Sequence, residues 1–186
     1  MLILASASPR RRELLQAAAI SFSIQAADIP EEFQAGETPE SFCQRLAREK
    51  AMAVFSVLPG ETVLGADTIV VVDGEILGKP RDQEDAIRML HLLSGRQHEV
   101  ITGVCLIGNS FPADVRAATT RVTMDGITEP EIQAYVATGE PMDKAGAYAV
   151  QGGASRWITK IEGDYTNVVG LPIPLVWKML REHQAV

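Results

Sequence analysis

Hydroxyl and guanidinium groups are concentrated near the N-terminus, in residues 6–11 (SASPRR). The apolar run Leu2–Leu4 before them predicts a buried strand, and Ser8 followed by proline is typical of a helix start. Backbone N–H groups at a helix N-terminus attract anions, so Arg10 and Arg11 are poorly placed there unless an anion lies between them. The segment therefore indicates a polyphosphate site. The alternative is a capped surface helix with solvated arginines.

A carboxylate interrupts an apolar stretch at Asp67, after residues 63–66 (VLGA) and before Thr68. A carboxylate in such a place is costly unless it forms a turn, caps a helix or binds something. Residues 62–66 and 69–72 are predicted as β segments, which puts Asp67 at a strand end, where ligand crevices form in α/β sheets. The alternative is a turn or bulge aspartate that accepts hydrogen bonds from neighbouring amides.

Two later segments also carry groups that suit a ligand. Lys79 lies in a Gly-Lys-Pro sequence and is either a positioned lysine or a surface cation. Residues 143–153 (DKAGAYAVQGG) contain small residues that let a ligand approach the backbone, and Gln151 offers both a donor and an acceptor to a base edge. The alternative for this segment is a flexible glycine loop. Lys144 either contacts the ligand or only supports the loop.

Several common catalytic patterns are missing from the sequence. It contains no G-x-x-x-x-G-K-[ST], G-x-G-x-x-G, H-E-x-x-H or G-x-S-x-G sequence. The three histidines are scattered, so a serine-hydrolase triad is unsupported. Cys43 and Cys105 are predicted to be core residues, and they indicate neither a disulfide framework nor a cysteine-rich zinc site.

Composition indicates a globular protein. The chain has 186 residues, 46% of them hydrophobic and 22% charged, and we expect a single domain over residues 1–186. Its net charge of −7 disfavours nucleic acid as a partner. No signal peptide and no apolar run of about 18 residues is present, so we expect no membrane partner and a cytoplasmic location.

Strands and helices alternate along the chain, with hairpins among them. Helix starts are predicted at Pro9, Pro39, Asp82 and Thr128, and Asp73 with the following glycine predicts a tight hairpin. Residues 98–107 and 115–124 are predicted as adjacent strands. The pattern favours an α/β fold with a mixed sheet.

Five separated segments, in order along nearly the whole chain, resemble the Maf family of nucleoside triphosphate pyrophosphatases. The resemblance implies a mixed twisted sheet with flanking helices and two lobes around a central cleft, similar to Ham1-like and ITPase-like proteins. It also implies hydrolysis of a nucleoside triphosphate to the monophosphate and diphosphate. The segments are residues 6–11, 65–68 (GADT), 78–80 (GKP), 143–152 and 169–172 (VGLP).

Thr68 after Asp67 and Gln151 before a glycine resemble the branch of the family that acts on dTTP and UTP. The choice between canonical and modified pyrimidine nucleotides as physiological substrate stays open. The resemblance further implies a divalent cation, Mg²⁺ or Mn²⁺, and a homodimer.

The resemblance implies a role for each site residue. Asp67 would accept a proton from the attacking water, and Asp67 with Glu31 would hold the metal, although Glu32 in the same acidic loop stays open. The phosphates would be bound by Ser8, Arg11, Lys50 and Lys79, and the base would be selected by Arg10, Thr68 and Gln151.

Two other functions are compatible with such a pocket. One is a regulatory module, linked to septum formation, that binds nucleotide without hydrolysing it. The other is a phosphatase that releases single orthophosphates. Replacement of Asp67 by Asn tests the first alternative, and product identity tests the second.

Overall fold

The computed structural model describes residues 1–185, and within them seven strands form one sheet. The strands are β1 (Leu2–Leu4), β2 (Ser23–Ile24), β3 (Thr62–Val72), β4 (Glu75–Leu77), β5 (Gln97–Gly108), β6 (Phe111–Met124) and β7 (Ile158–Glu162). The α-helices are α1 (Pro9–Ala17), α2 (Pro39–Phe55), α3 (Gln83–Leu93), α4 (Glu129–Ala137), α5 (Tyr165–Val169) and α6 (Ile173–Glu182). Short 3₁₀ helices cover Glu140–Asp143, Ala145–Ala147 and Gly153–Trp157.

The sheet is mixed, which confirms the predicted α/β class. Its order is β2-β1-β3-β5-β6-β7, and β4 pairs with β3. β1 runs parallel to β2 and β3, whereas β4 is antiparallel to β3 and β7 is antiparallel to β6. The predicted neighbours in the second half of the chain, β5 and β6, are adjacent in the sheet.

Local capping chemistry explains where several helices begin. The Thr38 hydroxyl accepts a hydrogen bond from the backbone of Ser41 at 3.1 Å, and the Asp82 carboxylate accepts one from Asp85 at 2.8 Å. At α4 the backbone N–H of Thr128 donates to the Glu131 carboxylate at 2.9 Å. Each bond satisfies a donor that the helix geometry leaves unpaired. The predicted starts of α2, α3 and α4 are confirmed.

Two predicted strand boundaries are wrong. β3 runs without a break through Asp67, so this residue lies inside an eleven-residue strand and not at a strand end. β6 begins at Phe111, four residues before the predicted start at Val115. In both places polar residues suggest an interruption of the strand, although a polar residue stays in a strand when its side chain has a partner.

The chain divides into two units, each built from separate stretches of sequence. Unit 1 contains residues 1–67, 102–118 and 170–186, and unit 2 contains residues 68–101 and 119–169. Three of the four boundaries fall inside β3, β5 and β6, and the fourth follows the end of α5. A single domain over residues 1–186 and a cleft between two lobes stay predictions.

In unit 1 the alternation of side chains along the strands produces two cores. Leu2 and Leu4 of β1 pack with α1 and α6 on one face, and Ile3 packs with α2 on the other. Successive strand residues point to opposite faces, so a strand buried on both sides is apolar throughout. The face covered by α2 is the one on which Lys50 and Asp67 meet.

Unit 2 is organised around α3 and α4. The buried side of α3 includes Met89, Leu90 and Leu93, and that of α4 includes Ile132 and Tyr135. Along residues 1–185, none of the helices combines the length and apolar character needed to span a membrane.

Candidate active site

Two carboxylates of unit 1 converge on one ammonium group. Lys50 Nζ lies 2.6 Å from Asp67 Oδ1 and 2.6 Å from Glu31 Oε1. The Lys50 and Asp67 side chains are buried, at 10% and 8% exposure, whereas the Glu31 side chain is 45% exposed. We call Glu31, Lys50 and Asp67 the Lys50 cluster. Of the three charged side chains, that of Glu31 is the most exposed to solvent.

Glycine on β3 explains how Lys50 reaches Asp67. A Cβ on Gly65 would lie 2.2 Å from the Ala47 carbonyl oxygen and 2.8 Å from the Ala51 nitrogen, so α2 rests directly on the strand backbone. Asp67 follows Gly65 by two residues and points to the same face. Lys50 precedes Ala51 on the helix, and the close approach of α2 therefore brings its side chain to the carboxylate.

Arg11 is buried and bonded to its own chain. Its Nε donates to the Gly170 carbonyl at 2.9 Å, and its Nη1 donates to the Ala66 carbonyl at 2.8 Å and to the Ser6 hydroxyl at 3.1 Å. Burial lowers the pKa of the guanidinium below its ordinary value, and the negative charges of Asp67 and Glu31 oppose that effect. Arg11 therefore fastens α1 to the strand that carries Asp67.

Ser8 and Arg10 lie at the start of α1, as the sequence predicts. Ser8 occupies the N-cap position with extended backbone, and its N–H donates to the Ser6 hydroxyl at 3.2 Å. Among the described residues, the Ser8 side chain accepts no capping hydrogen bond. Both side chains are partly exposed. The predicted helix start is confirmed, since Ser8 is the N-cap residue and proline follows it, although the Ser8 hydroxyl does not cap the helix.

The acidic loop that carries Glu31 is held by Arg45, which the sequence analysis missed. Arg45 Nη2 donates to the Glu32 carbonyl at 2.8 Å and to the Glu37 carboxylate at 3.0 Å. This bonding holds the pKa of Glu37 below its ordinary value. Phe33 of the same loop packs against Phe42 of α2, with ring centroids 5.5 Å apart. Of the two candidate glutamates in this loop, Glu31 is the one whose carboxylate contacts Lys50.

In unit 2, Gln151 lies at the corner of a turn. The Gly152 N–H donates to the Ala149 carbonyl at 3.1 Å, and the Gln151 side chain is exposed. We call residues 149–153 the Gln151 turn. Lys144 Nζ donates to the Glu140 carbonyl at 2.7 Å and to Asp143 at 2.6 Å, contacts that favour a supporting role for this lysine.

Lys79 and Thr68 are also residues of unit 2. Lys79 is exposed, whereas Pro80 after it is buried. The carbonyl of Gly78 accepts a hydrogen bond from Gly146 N at 3.1 Å, which joins this segment to the glycine-rich one. Thr68 is half-buried in β3.

The remaining reactive residue types are structural. Both cysteines are buried, and burial raises the pKa of the Cys105 thiol to about 12, so the thiol stays protonated. His98 is buried with Nε2 2.7 Å from the Tyr148 hydroxyl, and burial lowers its pKa to about 4. His91 is exposed and pairs with Glu129 at 2.8 Å. The prediction that the cysteines are core residues is confirmed.

The sequence matches a family model described as Maf-like protein over residues 1–183. The chain belongs to the Maf family. Two similar proteins carry the name dTTP/UTP pyrophosphatase. The protein from Koribacter versatilis is 57% identical over 97% of this chain and 93% of its own length. The one from Geobacter sulfurreducens is 53% identical over 97% of this chain and 95% of its own length.

The fold is also similar to that of a solved structure. The Ham1 protein of Staphylococcus aureus matches with a TM-score of 0.54 at 16% identity, over 98% of each chain. This likeness confirms the predicted similarity of the Maf fold to Ham1-like proteins.

The predicted site residues of this Maf chain fall in both units. The structure brings together Asp67, Lys50 and Glu31, and it buries Arg11 against the strand that carries Asp67. Ser8, Arg10, Arg11, Glu31, Lys50 and Asp67 belong to unit 1, and Thr68, Lys79 and Gln151 belong to unit 2.

Proposed function

We propose that the protein hydrolyses dTTP and UTP between the α- and β-phosphorus atoms, releasing the nucleoside monophosphate and diphosphate. Family membership and the names of relatives at 53–57% identity support this activity. The observation that carries it is the Lys50 cluster, in which a buried aspartate and a more exposed glutamate share one ammonium group.

Asp67 is the proposed proton acceptor. Hydrolysis of the anhydride needs a water positioned to attack phosphorus and a group that takes its proton. Asp67 is held in place by the hydrogen bond from Lys50 to its Oδ1, and its other carboxylate oxygen is proposed to take the proton. The strand on which Asp67 lies is rigidly packed, as an oriented base requires.

Glu31 and Asp67 are proposed to hold a divalent cation, Mg²⁺ or Mn²⁺. Within residues 1–185, no group of three or more His, Cys, Asp or Glu residues is arranged to bind a metal. Two carboxylates nevertheless fit a magnesium site, because Mg²⁺ is commonly bound by one or two carboxylates, with waters and substrate phosphates as its other ligands. The Lys50 ammonium contacts both carboxylates, so it would have to move aside for a metal held by the same two oxygens. When bound, the metal would neutralise charge on the phosphates.

Cations and a hydroxyl are proposed to bind the phosphate oxygens. Lys50 and Arg11 supply charge beside Asp67, and Ser8 lies at the N-terminus of α1. Backbone N–H groups at a helix N-terminus favour anions. Lys79 is exposed and is assigned the same role.

Arg10, Thr68 and Gln151 are proposed to select the base. An amide side chain offers a donor and an acceptor that match a uracil or thymine edge. A purine would leave such groups unpaired, which costs about 1–3 kcal/mol for each buried group.

Product analysis tests the proposal. The purified protein is incubated with Mg²⁺ or Mn²⁺ and each of dTTP, UTP, CTP, dATP and GTP, and diphosphate is resolved from orthophosphate. We expect diphosphate from dTTP and UTP. Orthophosphate as the first product would support the phosphatase alternative instead, and binding without turnover would support the regulatory alternative.

The regulatory alternative is not favoured, because the similar relatives are named as enzymes. The homodimer, the cytoplasmic location and the choice of metal stay predictions.

A further inference from the structure

Hydrogen bonds to Tyr135 and Glu140 hold the backbone on both sides of Gln151. Neither residue belongs to a motif identified in the sequence. Tyr135 of α4 is buried, and its hydroxyl donates to Glu140 Oε1 at 2.7 Å. The same hydroxyl accepts a hydrogen bond from the backbone N–H of Ala149 at 3.2 Å. Glu140 Oε1 also accepts one from the backbone N–H of Gly153 at 3.0 Å. These bonds fix the backbone two residues before and two residues after Gln151.

The glycine after Gln151 is explained by the same carboxylate. A Cβ on Gly152 would lie 2.0 Å from Glu140 Oε1 and 2.6 Å from its carboxyl carbon. A side chain at this position would therefore displace Glu140 or the turn. Gly152 makes room for a group of its own chain, and this contact gives the glycine a structural reason that is independent of any ligand.

The ring of Tyr135 is itself held in place. It packs edge-on against Trp157, with ring centroids 5.3 Å apart, and the Trp157 indole N–H donates to Glu131 at 3.3 Å. Burial and the hydrogen bond to Glu140 both raise the pKa of the Tyr135 hydroxyl, so it stays a donor across the physiological range. The Tyr135 hydroxyl and the Glu140 carboxylate together hold the turn in a defined geometry, and we call these two residues the clamp.

We propose that Tyr135 and Glu140 are positioning residues for substrate selection, which hold the Gln151 turn so that the Gln151 amide meets the base in one orientation. The inference rests on the proposed function, in which Gln151 contacts the pyrimidine. Neither residue touches the substrate in this account. A side chain on an exposed turn discriminates well only when its backbone is fixed, because freedom in the turn lets the amide adapt to the wrong base.

Tyr135→Phe tests the clamp because it removes one hydroxyl and keeps the ring. We expect kcat/KM for UTP to fall about fivefold, the equivalent of one ordinary hydrogen bond. The preference for UTP over GTP should fall by a similar factor. Tyr165→Phe, at an exposed tyrosine of the same unit, is the matched control and should change neither value.

A second background separates positioning from general damage to the fold. In Gln151→Ala the group that the clamp positions is gone, so adding Tyr135→Phe should change kcat/KM for UTP less than about twofold. The same fivefold loss in both backgrounds, or an unchanged UTP preference in the single variant, would overturn the proposal. A wild-type protein that hydrolyses no nucleotide would overturn the proposed function and the clamp together.

Substitutions at Glu140 give an independent check. Glu140→Gln keeps one carbonyl oxygen and the shape of the side chain, so it should retain more UTP preference than Glu140→Ala. Gly152→Ala should lower activity on UTP in the otherwise wild-type chain and have a smaller effect in Glu140→Ala, where the Cβ has room. Equal effects of Gly152→Ala in the two backgrounds would contradict the assigned contact.

Discussion

The Lys50 cluster and the Gln151 turn are positioned by different kinds of interaction. In the cluster, opposite charges meet at 2.6 Å on a strand and a helix that a glycine allows to touch. Among the described residues, no ion pair holds the Gln151 turn. It is held by hydrogen bonds from its backbone N–H groups to the Tyr135 hydroxyl and the Glu140 carboxylate. The first arrangement suits proton transfer and cation binding, and the second suits shape selection.

From this difference we expect substitutions in the Lys50 cluster to lower turnover. Substitutions in the Gln151 turn should instead change substrate preference. Asp67→Asn should have the largest effect, because general base catalysis contributes roughly 10²–10⁴-fold to a rate. We expect kcat for dTTP to fall by about 10³-fold while nucleotide binding is kept, as measured by steady-state kinetics and calorimetry.

Asp73→Asn is the control for this substitution. Asp73 lies in the tight β3–β4 hairpin at positive φ, a conformation that Asn also adopts readily, and we expect normal turnover. An Asp67→Asn protein with turnover close to wild type would remove Asp67 from the mechanism.

Gly65→Ala should separate α2 from β3. Its Cβ would overlap the Ala47 carbonyl, and overpacking of this kind costs about 1–3 kcal/mol of unfolding free energy. Activity should fall by more than the loss of folded protein accounts for, because displacement of α2 also moves Lys50 away from Asp67. Denaturant unfolding and kinetics measure the two effects, with Gly60→Ala, which has open space, as the control. Equal behaviour of the two variants would refute the packing argument.

Arg45→Met should weaken metal binding through the acidic loop. Loss of the bonds to Glu32 and Glu37 frees the loop that carries Glu31, and loss of such supporting bonds typically costs 10–100-fold in metal affinity. We expect the Mg²⁺ concentration for half-maximal activity to rise roughly tenfold with little change in KM for dTTP. Arg48→Met, an exposed arginine of the same helix, should leave the Mg²⁺ dependence unchanged.

The smallest expected effect concerns acid sensitivity in unit 2. Burial lowers the pKa of His98 from 6.5 to about 4, so between these values the unfolded chain binds a proton that the folded chain does not. Stability from this group is therefore lost as pH falls from 6.5 towards 4. Between pH 6.5 and 5 we expect the wild type to lose about 1–2 kcal/mol more unfolding free energy than His98→Gln.

Urea titrations at several pH values measure this difference. His91→Gln, at an exposed histidine, should follow the wild-type pH dependence. A His98→Gln protein with the same dependence as wild type would show that His98 already binds its proton in the folded state near its ordinary pKa.

Local patterns in the sequence predict much of this fold. Thr38, Asp82 and Thr128 identify helix starts because their bonds are made within four residues. The hairpin at Asp73 is predicted for the same reason. The break assigned at Asp67 was wrong because its partner, Lys50, is 17 residues away and cannot be recognised from local spacing.

The site is harder to predict from sequence where one charged residue both stabilises the fold and contributes its charge to the site. The sequence predicts Arg11 as part of an anion site, which stays a proposal, but it does not predict that Arg11 is buried and donates to two carbonyls. One signal was available, since Arg11 and the buried Leu15 are four residues apart and share a helix face. Tyr135 and Glu140 carry no such signal, because only tertiary structure brings them to the Gln151 turn.

The most direct test compares Asp67→Asn with Gln151→Ala, using kcat/KM for UTP and for GTP with product identity monitored. We expect Asp67→Asn to lower both values by a similar factor and to leave their ratio unchanged. Gln151→Ala should lower the value for UTP more than that for GTP and still release diphosphate. If Asp67→Asn keeps wild-type turnover, or if it alters the UTP preference as Gln151→Ala does, the separation of chemistry from selection is contradicted.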